Sequence, residues 1–207
     1  MALKYQKYSR RLFIGVYVTC LLVVIVMLSA CRQSSVPHPD GYFRIDAYPE
    51  EWRTDTLGRI LLQVNDSSYS VVPRAATEGY VWHNIVYPRY KATIYLSYIP
   101  ISDKNELSML LAESRDLVYR QSMGTPSVTA VEYEDATLPL YAILYRLSAE
   151  SATPLQFVAT DSACFLLRGA LYYDMSPLRY DSVAPTLEYL EGDMIHMIES
   201  ITPLQGR

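Results

Sequence analysis

A cysteine closes the run Leu28-Ser29-Ala30-Cys31, where an apolar block gives way to the polar Arg32-Gln33-Ser34-Ser35. A thiol at such a boundary can accept an acyl group, and the small side chains of Ser29 and Ala30 let a peptidase close on the backbone. The residues before it fit that processing. Met1 to Arg11 carry Lys4, Lys7, Arg10 and Arg11 with no acid, and Leu12 to Met27 are mostly apolar. This is a charged n-region followed by an h-region. The apolar block falls short of the roughly 20 residues that a spanning helix needs. The four residues have the pattern of the bacterial lipobox, so the expected chemistry is diacylglycerol transfer to the thiol of Cys31 and signal cleavage between Ala30 and Cys31. The chain is then anchored to a membrane by lipid rather than spanning it.

Ser9-Arg10-Arg11-Leu12-Phe13-Ile14 also resembles the twin-arginine export pattern, while the strongly apolar Leu21 to Met27 favours the general secretory route. Cleavage leaves 177 of the 207 residues, the size of one ordinary domain, and takes the net charge from −4 to −8 because no acid is removed. An acidic chain with no surviving Lys/Arg run argues against a nucleic-acid partner.

Other reactive side chains are scattered. Cys20 leaves with the signal and Cys31 is acylated, so Cys164 is the one free thiol of the mature chain and no intramolecular disulfide forms. Beside Phe165-Leu166-Leu167, Cys164 is expected to be buried and inert, with no base placed to activate it. His38, His83 and His196 lie far apart without cysteine or carboxylate at ligand spacing, which argues against a metal site. His196 reads as a residue at the edge of a helix face. No nucleophile elbow, P-loop, dinucleotide glycine pattern or H-E-x-x-H helix occurs. Glu132 and Glu134 alternate as acids on the solvated face of a strand do. No catalytic residue and no cofactor is assigned, and the chain is not read as an enzyme. The other possibility is a lipid-anchored enzyme or ligand binder with a site near Trp82-His83-Asn84, where indole and imidazole edges meet a substrate.

The elements that must position these groups follow from periodicity. Lys91 to Tyr98 alternates, with Ala92, Ile94, Leu96 and Tyr98 on one face and Thr93, Tyr95 and Ser97 on the other, which predicts a strand. Tyr42 to Ile45, Ile60 to Val64, Val128 to Tyr133, Tyr141 to Leu147, Leu155 to Thr160 and Cys164 to Tyr173 read likewise, the last two joined as a hairpin. Lys104 to Ser122 has helical period, capped by Ser102 or Asp103 and ended by Gly124 and Pro126. A second helix is expected from Pro185 to Ile201, stopped by Pro203.

Short connections between strand runs and a single apolar face on the last helix predict an α+β domain, an antiparallel sheet covered by two helices, similar in element order to the PsbP-like architecture. The domains are a signal peptide over 1–30, a polar Pro-containing tether over 31–41, and one globular domain over 42–207. The 19 tyrosines cluster in Tyr80 to Tyr98 and Tyr172 to Tyr189. Amphipathic rings suit interfaces, and equally suit half-buried strand positions. Tyr87, Arg89, Tyr90 and Tyr95 are the candidate interaction surface.

Several blocks in order resemble one family. They are Gly41-Tyr42-Phe43-Arg44-Ile45, Trp82-His83-Asn84, Tyr87-Pro88-Arg89-Tyr90 running into Lys91 to Tyr98, Thr160-Asp161-Ser162, Arg168 to Tyr173, Tyr180-Asp181-Ser182, Pro185 and Asp193-Met194-Ile195. The family is GldD, a lipoprotein of the gliding-motility and type IX secretion apparatus, and Glu50 to Gly79 is the part left without a match. The resemblance implies an accessory or assembly factor of that machinery. Its partners are other gliding-motility or type IX secretion envelope proteins, and the membrane through the lipid anchor. Arg32 follows Cys31 where an aspartate would retain a lipoprotein at the inner membrane, so the outer membrane is expected. No acidic cluster follows to act as a surface signal, so the domain is expected on the periplasmic side.

Overall fold

A computed structural model of the chain describes residues 45–73, 79–122, 128–135, 139–147, 151–174 and 180–204, with residues 17, 18 and 21 near the N-terminus. Cys31, the tether, most of the signal segment, and Gly124 and Pro126 lie outside the described residues. Among those described, no helix is long and apolar enough to cross a membrane.

Seven antiparallel strands form the main sheet: β3 (Tyr69–Val71), β4 (Val81–Tyr87), β5 (Ala92–Pro100), β6 (Thr129–Asp135), β7 (Leu140–Arg146), β8 (Leu155–Thr160) and β9 (Phe165–Tyr173), in the order β3-β4-β5-β9-β8-β7-β6. A smaller sheet joins β1 (Trp52–Leu57), β2 (Ile60–Asn65) and β10 (Thr202–Pro203) in the order β1-β2-β10. Helix α1 (Lys104–Gln121) lies on one face of the main sheet. Helix α2 (Tyr180–Glu199) and the small sheet lie on the other. The fold is α+β, mostly antiparallel, with two helices. Of the small sheet the sequence pattern predicts only the strand at Ile60 to Val64; β1 and β10 pair with it to make a second sheet, two strands of which come from the stretch Glu50 to Gly79.

Alternation decides what each face meets. The inward row of β5, Ala92, Ile94, Leu96 and Tyr98, is buried in the larger core with Leu57, Ile60, Leu62 and Val64 of the small sheet and Leu190, Met194, Met197 and Ile198 of α2. Ile99, Leu107, Val118, Val158 and Leu166 form a second core under α1. Asp103 starts α1, its Oδ1 accepting from the backbone N–H groups of Asn105 and Glu106 at 2.7 and 2.9 Å. Helix α2 begins earlier than expected and carries Pro185 inside it. It also stops earlier: Ile201 is buried beyond its end, and Pro203, read as a helix stop, pairs with Ile60 as part of β10.

Gly169 faces Phe157 across the β8–β9 pair, and a Cβ there would stand 2.0 Å from Phe157 Cε1. The ring is fully buried, so it could clear the new methyl only by shifting its packed neighbours. Gly169→Ala is therefore expected to destabilise the domain by about 1–3 kcal/mol or more, the usual range for overpacking. A thermal melt reads this as a lowered Tm; an unchanged Tm would mean that the ring does not rest on the glycine.

Candidate functional site

The three consecutive residues Trp82-His83-Asn84 do not make one site. They lie on β4, paired with Ser97, Leu96 and Tyr95 of β5, so Trp82 and Asn84 face outward while His83 faces inward with Leu96. His83 is buried, and its Nε2 lies 3.0 Å from Asp55 Oδ2 on β1. The same carboxylate accepts from Ser70 Oγ, and its Oδ1 lies 3.4 Å from Arg53 Nε. Arg53 in turn donates to the carbonyl oxygens of Asn65 and Ser68, each at 2.8 Å, and to Ser70 Oγ at 2.7 Å. Asp55 is thus held by a guanidinium, a hydroxyl and an imidazole, which ties the small sheet to β3 and β4. Ser70 donates to the carboxylate rather than to the imidazole, and His83 Nδ1 is buried without a hydrogen-bond partner. This is a clamp between sheets, in which the imidazole is not placed to activate Ser70 as a nucleophile.

The outward face of β3, β4, β5 and β9 has a different character. Strand register aligns Tyr69, Val86, Thr93 and Tyr172 in one row and Val71, Asn84, Tyr95 and Ala170 in the next, followed by Trp82, Ser97 and Arg168. Five of these are large and open to solvent: Tyr69 at 51%, Val71 at 42%, Trp82 at 43%, Tyr95 at 46% and Tyr172 at 37% exposure. Tyr95 and Tyr172 meet edge to face with centroids 5.3 Å apart. Helix α1 covers only the far part of this face, and between it and the strands opens a cleft of about 450 Å³ lined by Tyr95, Tyr172, Arg168, Gln156, Leu117 and Val118 among others. Arg168 Nη2 is steadied by Leu110 O at 3.0 Å and Glu113 Oε2 at 3.1 Å. The surface is an amphipathic aromatic patch continuous with a groove, suited to packing against another macromolecule.

The four residues of the expected interaction surface are divided by the fold. Tyr95 belongs to the aromatic face and Arg89 is exposed, paired with Asp46 at 3.6 Å. Tyr87 and Tyr90 belong to the core, with 0% and 6% exposure, so neither is part of the open sheet surface. Burial, reinforced by the charge of Asp193, pushes the Tyr87 hydroxyl well above the usual phenol range. The spacing of tyrosines in the sequence signals their amphipathic positions, whereas the 3₁₀ turn at Pro88–Tyr90 that rolls Tyr90 inward leaves no mark beyond the proline. His196 sits at a helix edge as expected, stacked on Trp52 at 3.7 Å with its Nε2 2.8 Å from Gln63 Oε1.

Cys164 departs from expectation: it is exposed, not buried. It falls in the β8–β9 turn rather than at the start of the strand. Asp161 Oδ1 gathers the backbone N–H groups of Ala163, Cys164 and Phe165, and Ser162 takes φ 62°, which lifts the thiol out of the sheet before β9 begins. Adjacent apolar residues are poor evidence of burial at a turn.

Asp193 on α2 is the carboxylate most altered by its surroundings. Burial raises it from 3.8 to about 6, with Glu50 adding to the shift and the Tyr87 hydroxyl and Asn65 amide opposing it. As pH rises past 3.8 the unfolded chain loses this proton while the folded one keeps it to about 6. Stability therefore falls as pH rises through that window and stays lower above it. Asp193→Asn should flatten the slope and be more stable than wild type at neutral pH by on the order of 1 kcal/mol, allowing for partial solvent screening. Denaturant unfolding at several pH values checks this; an unchanged slope in the variant would assign the effect to another group.

The sequence matches the family described as gliding motility lipoprotein GldD over residues 32–202. No curated protein matches it. Among solved structures it is similar to the solution structure of cyanobacterial PsbP (CyanoP) from Synechocystis sp. PCC 6803, at 14% identity and a TM-score of 0.42, covering 81% of this chain and 98% of that one.

Proposed function

The chain belongs to the gliding motility lipoprotein GldD family, and on that premise we propose that it is an accessory factor for assembly or stability of the gliding-motility and type IX secretion machinery. It is held by lipid on Cys31 at the outer membrane with its domain in the periplasm, and it works through protein contacts rather than catalysis. The observation that carries this reading is the aromatic face of β3, β4, β5 and β9. Five large side chains stay open on four neighbouring strands, beside a groove, at an energetic cost that a partner's surface would offset. The buried clamp around His83 supports the same reading, since the imidazole lines neither the groove under α1 nor the cavity beside α2.

A photo-crosslinking residue placed at Tyr95, compared with one at exposed Met109 on α1, tests the proposal in intact envelope. The expected result is one or a few discrete adducts with motility or secretion proteins from position 95 and none from 109. Equal adducts at both positions, or none at 95, would remove the aromatic face as the contact surface.

A further inference from the structure

On the α2 side of the main sheet, away from the aromatic face, lies a cavity of about 360 Å³ walled by the rings of Tyr48, Trp52, Tyr90 and Tyr189. Three carboxylates, Glu50, Glu188 and Asp193, line it as well. Tyr48 and Tyr90 pack with centroids 4.7 Å apart and Tyr189 stacks on Tyr90 at 6.5 Å, so the rings form a continuous lining rather than isolated contacts. Aromatic faces and carboxylates together attract an organic cation, the first by quadrupole and dispersion and the second by charge. The molecule already uses this chemistry at one ring: the guanidinium of Arg89 stands 5.5 Å from the centre of Tyr48. Asp193 is only partly exposed on α2, so the charge it brings to the cavity is screened by water less than those of exposed Glu50 and Glu188.

We propose that this cavity receives a basic side chain, an ammonium or guanidinium on an aliphatic stem, presented by a partner protein. The stem packs along the rings, and the cationic head meets Asp193 with Glu50 and Glu188 at the exposed side. A lipid headgroup would bring a phosphate beside its ammonium. Of the described residues lining the cavity only His196 is basic, and its Nε2 is already engaged by Gln63. Three carboxylates without a free counter-cation repel such a phosphate and leave the basic side chain as the better fit. The inference goes beyond the proposed role and does not depend on the aromatic face.

The test uses the full chain in detergent micelles with Trp82→Phe, which leaves Trp52 in the cavity wall as the only indole. N-acetyl-arginine amide should change Trp52 emission saturably, with a dissociation constant on the order of 1–10 mM, and the uncharged N-acetyl-citrulline amide should bind at least about tenfold more weakly. Asp193→Asn should weaken the arginine amide about fivefold or more. Glu188→Gln and Glu50→Gln, at exposed positions, keep the test valid if the first variant perturbs folding. Equal binding of the citrulline amide, no saturable change, or unchanged binding in all folded variants would overturn the cation site. Tighter binding of dihexanoyl phosphatidylethanolamine than of the arginine amide would overturn the protein side chain as its occupant.

Discussion

Cys31→Ser should abolish fatty-acid labelling and shift the protein from the membrane fraction to an uncleaved precursor or a soluble product. The serine hydroxyl differs from the thiol by one atom, yet only the thiolate is the nucleophile that takes the diacylglycerol. The consequence for location is large because each buried methylene contributes about 0.8 kcal/mol, and about two acyl chains are what separates stable anchoring from the marginal binding of one. The matched family region opens at residue 32, directly after this cysteine. The domain itself should be unaffected, since its cores are built from Ile45 onward. Metabolic labelling with fractionation, wild type against variant, reads both effects. Label retained in the variant would sink the anchor, and a membrane-bound but unlabelled variant would locate the attachment in the N-terminal segment instead.

The parts of the fold that were legible in the sequence are those in which one physical period runs long enough to dominate. β5 alternates from Ala92 to Tyr98, and every residue assigned to its inward row is buried. α1 combines helical spacing of Leu107, Leu110, Leu111 and Val118 with an aspartate cap, so both its face and its start were readable. β4 was not recognised as a strand because Val81-Trp82-His83-Asn84-Ile85-Val86-Tyr87 places a polar His83 in the inward row, where Asp55 satisfies it. That partner is 28 residues away and belongs to another sheet. The candidate site failed for the same reason. Three adjacent functional-looking residues suggest a cluster only when the backbone is not extended, and in a strand neighbours point apart. Conversely, Tyr69, Trp82, Tyr95 and Tyr172 come from four separate strands, and their meeting on one face depends on the strand order β3-β4-β5-β9. That order places β9 beside β5 despite the helix and three strands between them in sequence, and no local pattern encodes it.

Charge on the aromatic face should abolish function while leaving the fold intact, and loss of the His83 imidazole should do the reverse. Tyr95→Asp and Trp82→Asp each replace an exposed ring, so neither opens a core cavity, and their melting temperatures should stay near wild type. In a complex these positions become buried. Aromatic anchors there typically carry 2 kcal/mol or more, and an unpaired carboxylate in the same place costs several kcal/mol further, so affinity for the partner should fall by about a hundredfold or more. His83→Ala instead removes one of the three groups that hold Asp55 and leaves a partly satisfied buried carboxylate, a loss of about 1–3 kcal/mol of stability. A protein that works by contact needs no proton-transfer group. Once abundance is matched, His83→Ala should therefore support near-normal activity, whereas an essential general acid or base would cost about 100-fold or more. The comparison requires a null strain complemented with each variant, scored by surface spreading and by type IX-dependent secretion, with purified protein melted in parallel. Loss of activity in a folded, normally abundant His83→Ala protein would move the function to the buried clamp. Retention of activity in both aspartate variants would leave the aromatic face without a role. If instead each aspartate variant is folded and inactive while His83→Ala is merely less stable, then the surface that the sheet leaves open, and not the polar network it closes, is where this lipoprotein meets its machinery.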